Sequence, residues 1–163
     1  MVPIQVKGLV LDSHTKTPVL ILKETDGERI LPIWIGEEEA FSISIALTEN
    51  TSPRPLTHDL IAILIPGLKS SLSKVVIDRI ENNTYYSYMI IDRDHEILKI
   101  DSRPSDAVAV ALRLQAPIYV EECIMKSVEP YFPETLANEK SNLEKLKNRL
   151  KNMEPEDFGN NPI

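Results

Sequence analysis

The stretch KIDSRPSDAVAVALRL, Lys99 to Leu114, changes its apolar period in the middle. Up to Ile100 the apolar residues alternate, as a half-buried strand requires. After Pro104 they recur at helical spacing. Proline near the start of a helix costs nothing, because the first N–H groups have no partner there. A strand that turns directly into a helix thus carries Asp101, Arg103, Ser105 and Asp106 at the turn. APIYV, Ala116 to Val120, follows as another strand.

Working outward, the same sequence of patterns occurs 65 residues earlier. IQVKGLVLD, PVLILK and RILPIWIG are strand-like, with Asp26-Gly27 marking the hairpin between the last two. EEEAFSISIALTEN is helical and opens on Glu37, Glu38 and Glu39, where a helix dipole favours negative charge. In the second half KVVIDRI, TYYSYMII and EILKID are the strands, with ENNT and DRDHE as turns. A shift of 65 residues lays Ile33 and Ile35 on Leu98 and Ile100, and Ile43, Ala46 and Leu47 on Val108, Ala111 and Leu112. The reading is an α+β fold: two related strand-strand-strand-helix units form a mixed or antiparallel β core with peripheral helices. Shared amphipathic rules would give similar patterns without any common origin, but the agreement of strands, turn and helix at one offset favours a duplication.

Between the units lies NTSPRPLTHDLIAILIPGLKS. Pro53 and Pro55 impose an extended segment. Thr57 is expected to cap a short apolar helix with Asp59 in its first turn, ended by Pro66-Gly67. EECIMKSV reads as a short helix or turn. From residue 134 to 153 one long C-terminal helix is expected. Its seam of Leu136, Leu143 and Leu150 suits either docking on its own domain or a subunit contact. The domain is expected over 1–130, the helix over 134–153 and a tail over 154–163.

Composition narrows the function classes. Hydrophobic residues make up 42% and charged residues 26%, an ordinary globular balance. No apolar run has the length of a membrane span, and the N-terminus lacks a secretory signal, so a cytoplasmic protein without membrane attachment is expected. Cys123 is the single cysteine, so no internal disulfide can form. The net charge is −7 and no segment is basic, which argues against a protein that holds nucleic acid by broad phosphate neutralisation. There is no Gly-rich phosphate loop, no metal-binding cysteine pair and no Gly-x-Ser-x-Gly elbow. His14 and His95 fall in turns and are expected to be solvated.

Three polar clusters remain, each at a helix start: Glu37 to Glu39; Arg54, Thr57, His58 and Asp59; and Asp101, Arg103, Ser105 and Asp106. Helix starts attract anions, and carboxylates with a histidine offer ligands for a divalent ion. Such parts suit metal-assisted phosphodiester hydrolysis. Capping and turn-shaping explain most of these residues one at a time. Arg103 paired with Asp101 or Asp106 would hold the turn, and His58 alone is more often a packed residue than a ligand.

LPIWIGEEEA, RPLTHDL and DSRPSDAVAVAL, in this order and followed by APIYV, resemble the bifunctional nuclease family over roughly residues 1–128. The EPEDF segment is similar to the C-terminal end of some members. The resemblance implies a compact α+β domain and, for some members, cleavage of DNA and RNA. At the matching positions its candidates are Glu39, Arg54, His58, Asp59, Asp101, Arg103, Ser105 and Asp106. The leading expectation is a nuclease, with Mg or Mn as the metal. Asp59, Asp101 and Asp106 would be ligands, and they, Glu39 or His58 the base. Arg54, Arg103 and Ser105 would hold substrate. The rival is a non-enzymatic module that recognises a protein or small anion with the same turns. Nucleic acid is the expected partner, and a homo-oligomer such as a dimer the expected assembly.

Overall fold

Strand β1 (Val2–Leu11), β2 (Pro18–Glu24) and β3 (Ile30–Trp34) form an antiparallel meander that leads into α1 (Glu37–Leu47). After α2 (Thr57–Gly67) the plan repeats, with β4 (Ser70–Glu81), β5 (Thr84–Arg93), β6 (Glu96–Ser102) and α3 (Pro104–Leu114). The short β7 (Ile118–Val120) and α4 (Glu122–Ser127) follow. The computed structural model describes residues 1–48, 52–94 and 96–127. The expected C-terminal helix, the tail and His95 lie outside the described residues.

The seven strands make one sheet in the order β3-β2-β1-β7-β4-β5-β6. β7 runs antiparallel to β1 and parallel to β4, so the sheet is mixed and the two meanders flank β7. The fold is therefore α+β with the expected β-β-β-α order occurring twice. Period-two alternation decides which face each strand residue takes. Leu20, Leu22, Leu31, Ile33, Val75, Ile77, Ile118 and Val120 point to one face and pack with Ala40, Ile43 and the Ala107–Ala111 run of α3. Burying a side chain of this size stabilises by about 1.5–3 kcal/mol, so this layer fixes the helices to the sheet. Among the described residues no helix is long and apolar enough to cross a membrane.

The turns follow from their residues. Asn82 and Asn83 both take positive φ (48° and 59°) in the two-residue hairpin between β4 and β5, a conformation asparagine tolerates. Asp12 closes the β1–β2 turn by accepting hydrogen bonds from the N–H groups of His14 and Thr15, both 2.9 Å, and from the Trp34 indole. The bonds from Thr15 and His14, then Trp34, push its carboxyl down to about 2. Gly8 sits at the β1 irregularity with φ of +142°. An added Cβ would meet no neighbour there, so the constraint is on the backbone. Gly8→Ala is expected to cost about 1–2 kcal/mol in urea unfolding. An unchanged midpoint would mean that β1 can relax its irregularity.

In α2 the structure corrects the expected cap. Thr57 is the first helical residue, and extended Leu56 is the cap, its N–H donating to Asp59 Oδ2 at 2.8 Å. Pro66 and Gly67 lie within the last turn rather than beyond it. Ala62 and Ile65 face inward, while Leu60, Ile63, Leu64 and Leu68 are exposed.

Candidate functional site

Three chain segments distant in sequence meet at the starts of α1, α2 and α3. Glu39, in the first turn of α1, places Oε1 2.8 Å from Arg103 Nη2. Gly36 makes room for this carboxylate, since a Cβ at that position would run into it. Arg103 is the extended cap residue of α3 and Pro104 opens the helix. The Arg103 guanidinium turns back onto Asp106, with Nε 2.6 Å from Oδ2 and Nη2 3.1 Å from Oδ1. It thus stands between two carboxylates, yet its side chain remains 68% exposed.

His58 reaches the same carboxylate from α2. Its Nε2 lies 3.0 Å from Asp106 Oδ1, and its Nδ1 lies 2.8 Å from Ser42 Oγ. An ionised carboxylate only accepts, so Nε2 carries the proton in this network; in the neutral ring the Ser42 hydroxyl then donates to Nδ1. Burial alone would raise the Asp106 pKa, but hydrogen bonds from Arg103 and His58, with their charges, hold it below the usual carboxylate range. The hydrogen bond Arg103 donates to Asp106 raises the Arg103 pKa, so the guanidinium stays charged.

A second network supports the first. Arg113 of α3 donates from Nε to Asp59 Oδ1 at 2.6 Å, from Nη1 to the Ala109 carbonyl at 2.8 Å and from Nη2 to the Ser42 carbonyl at 3.2 Å. Its side chain is only 9% exposed. Burial acts to raise the Asp59 pKa, and bonds from Arg113 and the Leu56 N–H more than reverse this. Ser42 joins the two networks, through its hydroxyl to His58 and its carbonyl to Arg113. A linkage argument follows. Asp59 and Asp106 have folded pKa values below the unfolded value of about 3.9, so their contribution is present above that pH and lost as pH falls through the folded values. The urea midpoint should be flat from pH 7 to 5 and drop below pH 4. A midpoint that already falls between pH 7 and 5 would contradict this assignment.

Of the residues singled out in the sequence, the structure brings Glu39, His58, Arg103 and Asp106 together. Asp59 is turned toward Arg113. Asp101 is exposed and lies across from Tyr88, on the sheet face opposite the helical layer, because strand alternation separates it from Ser102 and Ser87. Arg54 is exposed on the segment before α2, and no ion pair joins it to the cluster among the described residues. Ser105 is buried in the first turn of α3.

The expected metal triad of Asp59, Asp101 and Asp106 does not converge. Among the described residues no group of three or more His, Cys, Asp or Glu is placed to hold a metal ion. The donors nearest one another are occupied, with Arg103 between Glu39 and Asp106 and both His58 nitrogens engaged. The side chains as they stand do not fit a divalent ion.

Compared with known proteins, the chain matches the model of the bifunctional nuclease domain over residues 20–132. The chain belongs to the bifunctional nuclease domain family. An uncharacterised protein of Mycobacterium tuberculosis is 40% identical over 161 residues, 95% of this chain and 96% of that protein. Bifunctional nuclease 1 of Oryza sativa subsp. japonica is 28% identical over 120 residues, 68% of this chain and 36% of the rice protein. Bifunctional nuclease 1 of Arabidopsis thaliana is 24% identical over 125 residues, covering 74% and 38%. The chain thus spans little more than a third of the length of these plant proteins. Gly36, Ser42 and Arg113 escaped the sequence reading. The signal for Arg113 was a lone arginine among the apolar residues of α3.

Proposed function

We propose that this member of the family hydrolyses phosphodiester bonds of nucleic acid at the Glu39, His58, Arg103 and Asp106 cluster. The observation that carries the reading is the position of Arg103, an exposed guanidinium held between two carboxylates. A phosphate offers the same planar pair of acceptors and competes for it. Arg54, exposed on the segment leading to His58, is a second cation for the substrate backbone. While Arg103 is paired with Asp106, that carboxylate is a weak base. When Arg103 turns to phosphate, Asp106 loses its strongest partner and its proton affinity rises.

A water beside Asp106 then passes its proton to the carboxylate and forms the new P–O bond. The P–O bond to the leaving sugar oxygen breaks, and that oxygen takes a proton from solvent. His58 keeps Asp106 oriented throughout. The rival, anion recognition without hydrolysis, is favoured by one specific fact, that each of the four side chains of the cluster already has a partner within it.

The deciding experiment incubates the purified chain with single-stranded DNA and RNA, in EDTA and with Mg²⁺ or Mn²⁺, beside Arg103→Ala and Asp106→Asn. The expected result is cleavage by the parent that both substitutions abolish. Cleavage that survives both points to a contaminant, and Arg103-dependent binding without cleavage supports the rival.

A further inference from the structure

The two edges of the sheet differ. At one end β3 has Pro32 in its middle, which removes a backbone donor and blocks a continuous ladder. At the other end, β6 has neither proline nor glycine. Its seven residues pair with β5 without a bulge, and among the described residues no strand pairs with its outer side. Ile97 and Ile100 on it are 60% and 40% exposed. A straight edge of this kind is a template for another strand, which proteins ordinarily blunt.

We propose that the outer edge of β6 pairs antiparallel with β6 of a second copy of this chain, about a two-fold axis through Ile100. A two-fold axis perpendicular to the sheet makes the strands antiparallel and keeps each residue on its own face, so partners must share parity. Centring the axis on Lys99 sets Lys99 against its own copy, two like charges. Centring it on Leu98 sets Lys99 opposite Ile97 and leaves the charges unpaired. Centring it on Ile100 sets Lys99 opposite Asp101 twice, Leu98 opposite Ser102 twice, and Ile100 against its own copy. Only this last register is complementary in charge while covering an exposed isoleucine.

Lys99 lies over the Tyr88 ring of β5 at 3.7 Å, on the face it shares with Asp101, so dimerisation turns its ammonium from that ring toward Asp101 of the second copy. The result is a continuous fourteen-stranded sheet, twice the seven of one copy. A seam this short buries less than about 1,200 Å², so the dimer is a reversible one. Each Arg103 lies three residues from the axis, which sets the two guanidinium-bearing turns about 20 Å apart at opposite ends of the seam. The pairing stands whether or not the cluster is hydrolytic.

The test is sedimentation velocity of the full chain across a concentration series. The parent is expected to shift from monomer to dimer. Lys99→Asp sets aspartate against Asp101, and Asp101→Lys sets lysine against Lys99, so each variant alone should dimerise at least about tenfold more weakly. Mixed together they should form a heterodimer, since every cross-strand pair is again of opposite charge. That recovery also shows that both variants are folded. A parent that stays monomeric throughout overturns the proposal, as do single variants that dimerise like the parent. Dimers lost on Leu64→Glu but not on Lys99→Asp would move the interface to α2.

Discussion

Asp106→Asn is expected to lower phosphodiester cleavage by about 10²- to 10⁴-fold, the range over which a positioned general base acts. Asparagine keeps the shape and can still accept from Arg103 or His58, so the fold should survive. What it loses is the charge that holds the guanidinium and the basicity that takes a proton from water. Substrate binding should weaken far less, because Arg103 is then freer to reach phosphate. Single-turnover cleavage with saturating enzyme reads this directly. A variant that binds poorly but cleaves at the parent rate once saturated would make Asp106 a positioning residue for Arg103 rather than the base.

The largest loss of stability is expected from Arg113→Ala, about 3–5 kcal/mol in urea unfolding. The substitution strips Asp59 of its cation and leaves the Ser42 and Ala109 carbonyls without that donor. Asp59→Asn should cost less, because the amide can still accept from Arg113 and no carboxylate is stranded. The ordering of the two variants is the test. If Asp59→Asn proves equally damaging, the cap contact to the Leu56 N–H outweighs the ion pair. Loss of Arg113 leaves the His58–Asp106 contact in place, so the Nε2–H tautomer should persist, visible in the ring nitrogen shifts by NMR.

Much of the architecture was legible because it is written in periods. Alternation in IQVKGLVLD, the unbroken apolar run of PVLILK and helical spacing after Pro104 depend on which sides of an element are buried, and that is a local property. The order of strands around β7 was not legible, since three residues carry no sign of which neighbours they will join. The candidate site divides the same way. Glu39, His58, Arg103 and Asp106 stood out because charged residues at helix starts are visible in sequence, whatever they do there. Asp101 looked equivalent to Asp106 from its place in the turn, yet one residue of strand parity sends it to the other side of the sheet. Ser42 and Arg113 were silent because their partners are backbone carbonyls and residues far away in the chain.

The place of β7 has a consequence for how this molecule is made. β1 and β4 each pair with β7 and the sheet order keeps them apart, so the strand that unites the halves is among the last pieces of the described chain to be synthesised. Until Ile118–Val120 is available, each meander exposes one flank of open backbone groups, and these flanks belong to the strands that become the centre. Contacts between Val2 and Val120 span nearly the whole described sequence and close slowly. During that interval the nascent chain is open to pairing with the wrong strand, its own or a neighbour's. Completion of the sheet is thus a timing event as much as a packing one, and it falls at the end of translation of the domain.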